Sequence, residues 1–519
     1  MPAPLPPRFR LEGRIWTADP AHPWAHAIEV RDGRIGAVDP PSAGAGVPTI
    51  DLGGGCAVPG LIDAHLHLSL GAQALAQVDL SGARSRQDFE RAIGEAARTA
   101  GPGRWLRAHG WHEENWGGER PDASWLRAAG DVPCVAYRMD QHACLVNGPV
   151  MRLVGDAPCP EGGEVVRHPD GRPTGLLLEQ AAWKLVNPIL PEPPAEDRRA
   201  ALLRAMSHCN AFGLTAAGSM EYRRDLEDVH AYLRDARRHE FTLRVSATIL
   251  DREWPVDLSW GRAFRGDDLL SVVGWKSFAD GTLGSRTARM LEPYADDPAN
   301  RGMLLEFAGH GDNRLRAWAA EVLAAGFSPS VHAIGDEALR IALDEIGPVD
   351  AGRVARYEHC QTIDDADVAR MAGRIASMQP FHKADDARIA PSRLGPRRMR
   401  RFFRFRDLQR AGARLAFGSD WPIVSCDPRL GIRAAVTGRS LDGSPTCTDQ
   451  NLTVEEALRA YTSAAADALR APALGRIAAG AHADLCVFGA DPFRHDWDAG
   501  LPEVRATVLG GRTVHGALG

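Results

Sequence analysis

The chain has 519 residues, 44% hydrophobic and 25% charged, enough for one large domain with a smaller one beside it. A formal net charge of −6 gives no electrostatic basis for nucleic acid or an anionic membrane surface, so neither is expected as a partner. The nine cysteines are scattered, odd in number and without a C-x-x-C pair, which points to reduced thiols and a cytoplasmic protein. The first residues lack the apolar core of a signal peptide, and no stretch reaches the roughly eighteen apolar residues of a membrane span.

In chain order, Phe9 to Thr17 and Ala27 to Val38 read as strands, with a hairpin turn at Arg31-Asp32-Gly33-Arg34. Pro59-Gly-Leu-Ile-Asp-Ala-His65-Leu-His67 is a buried-strand run that ends in two histidines. Residues 75 to about 190 are less regular and read as an elaborated insertion, a candidate lid. Beyond them strands and helices alternate. Leu202 to Phe212 reads as a helix before the strand at Thr215. The later strands are Leu243 to Leu250, Val272 to Phe278, Ser328 to His332, Val354 to His359, Ile375 to Gln379 and Arg414 to Gly418.

This alternation predicts an α/β fold with a parallel sheet, a (β/α)8 TIM-like barrel, over 59–471; a doubly wound open sheet is the runner-up. The C-terminal segments Ala483 to Phe488 and Val504 to Val514 are hairpin material like the N-terminal ones. Chain ends tend to lie close together, so a small flanking β-sandwich is expected from 1–58 plus 472–519. The run Pro396 to Arg406 reads as a solvated arginine-rich helix face rather than a contact for an anionic partner.

Side chains two apart on a strand share a face, so His65 and His67 point together and suit a divalent metal. Lys276, His332 and His359 lie at the ends of later strands, and Asp420 follows another. Strand ends converge on one barrel mouth, where groups distant in sequence meet. Asp420 could alternatively cap the segment after Trp421-Pro422.

At these residues the chain resembles the amidohydrolase superfamily, and within it the amidohydrolase family 3 branch that includes N-substituted formamide deformylases. The matching motifs are Val58 to His67, Lys276-Ser-Phe-Ala-Asp-Gly to Ala288, His332-Ala-Ile-Gly-Asp336, Glu358-His-Cys-Gln361 and Phe417-Gly-Ser-Asp-Trp-Pro422. Gly163 to Val166, Gly171 to Gly175 and Asp140-Gln-His142 with Asn147 also match.

The resemblance implies a metal-bearing barrel with His65, His67, Lys276, His332, His359 and Asp420 as ligands, and one or two divalent ions, Zn2+ by expectation. Lys276 is then either carboxylated and bridging two ions, or a neutral lysine beside one. Asp280 either supports this centre or pairs with Arg286. The implied chemistry is hydrolysis of a non-peptide C–N bond in a small linear amide or formamide. Asp420 would serve as general base and acid, and a histidine, His332, would stabilise the oxyanion. Deamination or cyclic-amide opening on the same barrel, or a non-catalytic regulatory role, are the alternatives. Substrate contacts are expected from Trp111, His112, Trp116, His142, Arg286, Gln379 and His382; the family often has aspartate where His112 stands. A homodimer stays open.

Overall fold

The computed structural model describes residues 5–518 apart from 43, 45, 102, 140–142, 161–162, 251–256 and 310–312. They fall into two compact units, Met1–Ser69 with Leu203–Gly519, and Leu70–Leu202.

In the first unit eight strands lie side by side in chain order: Leu61–Leu66, Leu214–Glu221, Arg244–Ile249, Leu270–Phe278, Ser328–Ala333, Arg356–His359, Ile375–Met378 and Arg414–Phe417. Every recorded pairing among them is parallel. Such strands are covered on both faces, so their residues are buried in runs instead of alternating; all eight residues of Leu214–Glu221 are buried. The order never reverses, so there is no switch point and the doubly wound alternative is excluded. The amide N–H groups of Ser419 and Asp420 donate to His65 O at 3.2 and 2.6 Å, bringing the eighth strand back to the first and nearly closing the barrel. Helices Arg314–Ala324 and Asp336–Ile346 cover it with apolar stripes, Leu315, Trp318, Ala319 and Val322 on one and Ala338, Leu339, Ala342 and Leu343 on the other.

The two chain ends meet in one sheet. Arg8–Trp16, Trp24–Arg31, Arg34–Val38 and Thr49–Pro59 join Leu485–Phe488, Val504–Leu509 and Arg512–Gly516, with Cys56 opposite Phe488 and Pro59 opposite Leu485. Where the sequence suggested a sandwich, the described strands form one seven-stranded sheet around a common core that includes Phe9, Leu11, Ile28, Leu52, Leu485 and Val508. Gly53 and Gly54, both at positive φ, lie where the pairing with Arg8–Trp16 shifts register, a bulge that glycine accommodates.

Arg244, at the start of the third barrel strand, makes a two-pronged ion pair with Asp484 beside the terminal sheet (2.6 and 3.1 Å), and both side chains are about 5% exposed. Breaking such a pair strands a buried charge. Arg244→Met is expected to lower unfolding stability by about 3 kcal/mol, read as a lower denaturant midpoint at unchanged slope. An unchanged midpoint would show that the pair carries no net stability.

The second unit has a six-stranded sheet with its own core, built on Phe89, Leu106, Trp111, Trp125 and Leu145. It is wider than the 75–190 expected from the sequence.

The arginine-rich run is only partly a solvated face: Arg397 and Arg400 stay exposed, but the run is held by ion pairs. Arg397 pairs with Glu292, Arg400 and Arg404 with Asp365, Arg401 with Asp336 and Asp364, and Arg406 with Glu456. Arg398 and Arg401 are buried. The carboxylates come from distant segments that the local pattern did not show. Among the described residues no helix is long and apolar enough to cross a membrane.

Candidate metal centre

Each predicted ligand lies in or just beyond a barrel strand. His65 lies in the first strand and His67 just beyond it, Lys276 in the fourth, His332 in the fifth, His359 at the end of the sixth, and Asp420 after the eighth. The ligating atoms of His65, His67 and Asp420 lie within 4.8 Å of one another. Asp420 Oδ1 is 3.1 Å from His67 Nε2 and 3.4 Å from His65 Nε2. The His359 ring lies 5.0 Å from that of His65, and the His332 ring 4.4 Å from that of His359.

Two of these side chains reach the centre through unusual backbone. His359 has φ +72° and Asp420 φ +61°, conformations that cost non-glycine residues about 1–3 kcal/mol and cluster at functional sites. Glu358 and His359 are consecutive, so a regular strand would send them to opposite faces. The turn at His359 lets both meet His65. Asp420 is not a helix cap; Asp427 caps the following helix, Pro428–Thr437.

Charge and hydrogen bonding prepare the nitrogens. His359 Nδ1 lies 2.8 Å from Gln379 Oε1, and the Gln379 amide nitrogen donates to Ser377 O. The His359 Nδ1–H therefore donates, leaving Nε2 with its lone pair. Burial, reinforced by the neighbouring rings and Lys276, holds His359 well below its ordinary range and brings His332 down to about 3, so both are neutral. Burial lowers the Lys276 ammonium to about 8, opposed by Glu358 and Asp420. Burial would raise Asp420, but its contacts with His65 and His67 keep it well below the usual carboxylate range.

The donor set fits a divalent cation. His65 Nε2 is fully buried and makes no hydrogen bond, although it stands beside a carboxylate and two other imidazoles. A buried polar atom without a partner is costly. Neutral imidazoles and a carboxylate are the ligands zinc and its neighbours take.

The expected substrate contacts divide. His382 belongs here, its Nε2 buried and 4.0 Å from Asp420 Oδ2. Gln379 is buried behind His359 and supports that ring. Arg286 pairs with Asp296 at 3.0 Å and not with Asp280. Asp280 instead accepts the N–H groups of Arg289, Ile334 and Gly335, tying the segment after the fourth strand to the one that follows His332.

In the second unit Trp111 is 2% exposed and donates to Ala136 O, and Trp116 packs on Phe89 and Trp125. Both tryptophans belong to that unit's own core. His112 faces Arg138. His142 lies outside the described residues.

Sequence reasoning passed over Glu358, whose carboxylate lies 2.6 Å from His65 Nδ1. The available signal was a carboxylate directly before a strand-end histidine.

The model of the amidohydrolase family matches residues 48–515. Protein LONG AFTER FAR-RED 3 of Arabidopsis thaliana is 31% identical over 96% of this chain and 89% of its own length. The N-substituted formamide deformylase of Arthrobacter pascens is 28% identical over 93% of both chains. Among solved structures, an uncharacterized metal-dependent hydrolase from Pyrococcus horikoshii OT3 superposes with a TM-score of 0.78 at 27% identity, covering 94% of this chain and 99% of that one. The chain belongs to the amidohydrolase family, in the family 3 branch of the metal-dependent amidohydrolase superfamily.

Proposed function

We propose that the protein hydrolyses a non-peptide C–N bond in a small linear amide or formamide. The ion is proposed to be zinc, held by His65, His67 and Asp420 with His332, His359 and Lys276 around it. The observation that carries this reading is the convergence of three ligating atoms within 4.8 Å at the barrel mouth, one of them a buried nitrogen with no hydrogen bond. A bound divalent cation supplies Lewis acidity and brings the pKa of a coordinated water toward ~7.

The chain's own groups do the rest. Asp420, held ionised, accepts the proton of the attacking water and returns it to the leaving nitrogen, which then departs as a neutral amine. His332, expected to stabilise the oxyanion, has its Nε2–H committed to Gly281 O at 2.9 Å, which leaves Nδ1 with a lone pair for the ion instead. Lys276 is proposed to be carboxylated. Its neutral amine adds carbon dioxide, forming an N–C bond and releasing one proton, so that an anionic ligand replaces an ammonium that would repel the ion. The likeness to a formamide deformylase over nearly the full chain supports the formamide class. The intact donor set, Asp420 included, speaks against a non-catalytic role.

Chelation should abolish turnover of N-formyl and N-acyl amines, and added zinc should restore it. Full activity in a preparation shown to be metal-free would end this reading.

A further inference from the structure

We infer that Glu358 is a positioning residue for this centre, its carboxylate fixing the His65 imidazole with the proton on Nδ1 and the Nε2 lone pair directed at the cation. The inference rests on the metal reading above, and its argument is geometric.

Glu358 is fully buried in the sixth barrel strand. Its Oε2 lies 2.6 Å from His65 Nδ1; its Oε1 accepts the Ser330 hydroxyl at 2.5 Å and lies 2.9 Å from Arg356 Nε. An ionised carboxylate can only accept hydrogen bonds, so the nitrogen that faces it must carry the proton. That leaves His65 Nε2 as the unprotonated nitrogen. The same Nε2 is the buried atom without a hydrogen bond, 3.4 Å from Asp420 Oδ1. The ring is therefore held from behind by an anion and left open in front.

The holder is itself anchored. Arg356 donates to Ala64 O at 2.5 Å, beside His65 in the first strand, and to the Ser377 hydroxyl of the seventh. Ser330 stands opposite Arg356 in the fifth strand. Three strands thus fix the carboxylate whose oxygen fixes the imidazole. A glutamine would fill the same space without a buried charge, but its amide could present N–H or oxygen and so admit either tautomer. The Arg356 guanidinium 2.9 Å from Oε1 and the Ser330 hydroxyl donated to the same oxygen suit a carboxylate, not a neutral acid.

The test uses the full-length protein stripped of metal. Zinc affinity is measured by competition with a chromophoric chelator for wild type, Glu358→Gln, His65→Asn and the double variant. Histidine-15N spectra of the same metal-free samples report the His65 tautomer, assigned by its loss in His65→Asn. Glu358→Gln is expected to weaken zinc binding by about 10–100-fold and to populate both tautomers. It should add no further loss in the His65→Asn background, whereas a merely structural role would weaken both backgrounds alike.

Unchanged zinc affinity in a folded Glu358→Gln protein, or wild-type His65 protonated on Nε2, would overturn the assignment. The wild-type spectrum decides the matter even if the variant does not fold. Failure of wild type to bind zinc, with His65 still protonated on Nδ1, would overturn the metal reading while leaving the link between Glu358 and the His65 tautomer standing.

Discussion

Asp420→Asn is expected to lower kcat by about 10²–10⁴-fold, the range that a positioned general base and acid contributes. Asp420 Oδ1 touches both first-strand histidines, and Oδ2 faces His382 at 4.0 Å. The carboxylate stays ionised in spite of its burial, so it has a free oxygen to accept a proton. Asparagine retains the shape and one oxygen but offers no basic site at neutral pH. The loss should therefore fall mainly on kcat, in protein that is folded and still carries its ion. Metal content and circular dichroism must be read beside the kinetics. A loaded Asp420→Asn protein turning over within about tenfold of wild type would remove Asp420 from the proton transfer.

Gly418→Ala should cost both fold and activity. A Cβ at position 418 would sit 2.4 Å from His65 N, 2.8 Å from His65 O and 2.7 Å from Asp63 Oδ1. All three atoms are buried, and His65 N and O already serve the closure, the former donating to Asp63 and the latter accepting from Ser419 and Asp420. Backbone in that position cannot swing aside as a side-chain tip could, so the eighth strand must retreat from the first. Overpacking of this kind costs about 3 kcal/mol or more, and the retreat carries Asp420 away from His65 and His67. Thermal unfolding and zinc binding should therefore both suffer. A Gly418→Ala protein as stable as wild type would show that the two strand ends are not packed this tightly.

The sequence made the residues of the barrel mouth legible wherever regular periodicity applies. Two histidines at i, i+2 share a strand face, and Lys276, His332 and Asp420 could be located because apolar runs end beside them. The merging of both chain ends into one sheet was likewise readable from matching hairpin signals. What escaped depended on departures from regularity or on distant partners. Positive φ at His359 lets Glu358 and His359 share a centre, and no propensity rule announces that turn. The glycines at 53 and 54, both at positive φ, lie where the pairing of Thr49–Pro59 with Arg8–Trp16 shifts register, which a period-two pattern does not show. Trp111 and Trp116 read as substrate contacts, yet an aromatic side chain serves a core equally well, and the contacts with Phe89, Trp125 and Ala136 place them there. The arginine-rich run was misread in part because Glu292, Asp336 and Asp364 lie far from it in the chain.

The most direct test of the metal centre is anomalous diffraction from crystals of active, zinc-loaded protein, recorded on both sides of the zinc absorption edge. The account predicts a peak about 2.0–2.1 Å from His65 Nε2 and His67 Nε2, with Asp420 at the same ion. An active crystal whose zinc lies elsewhere, with no anomalous peak between these side chains, would contradict it.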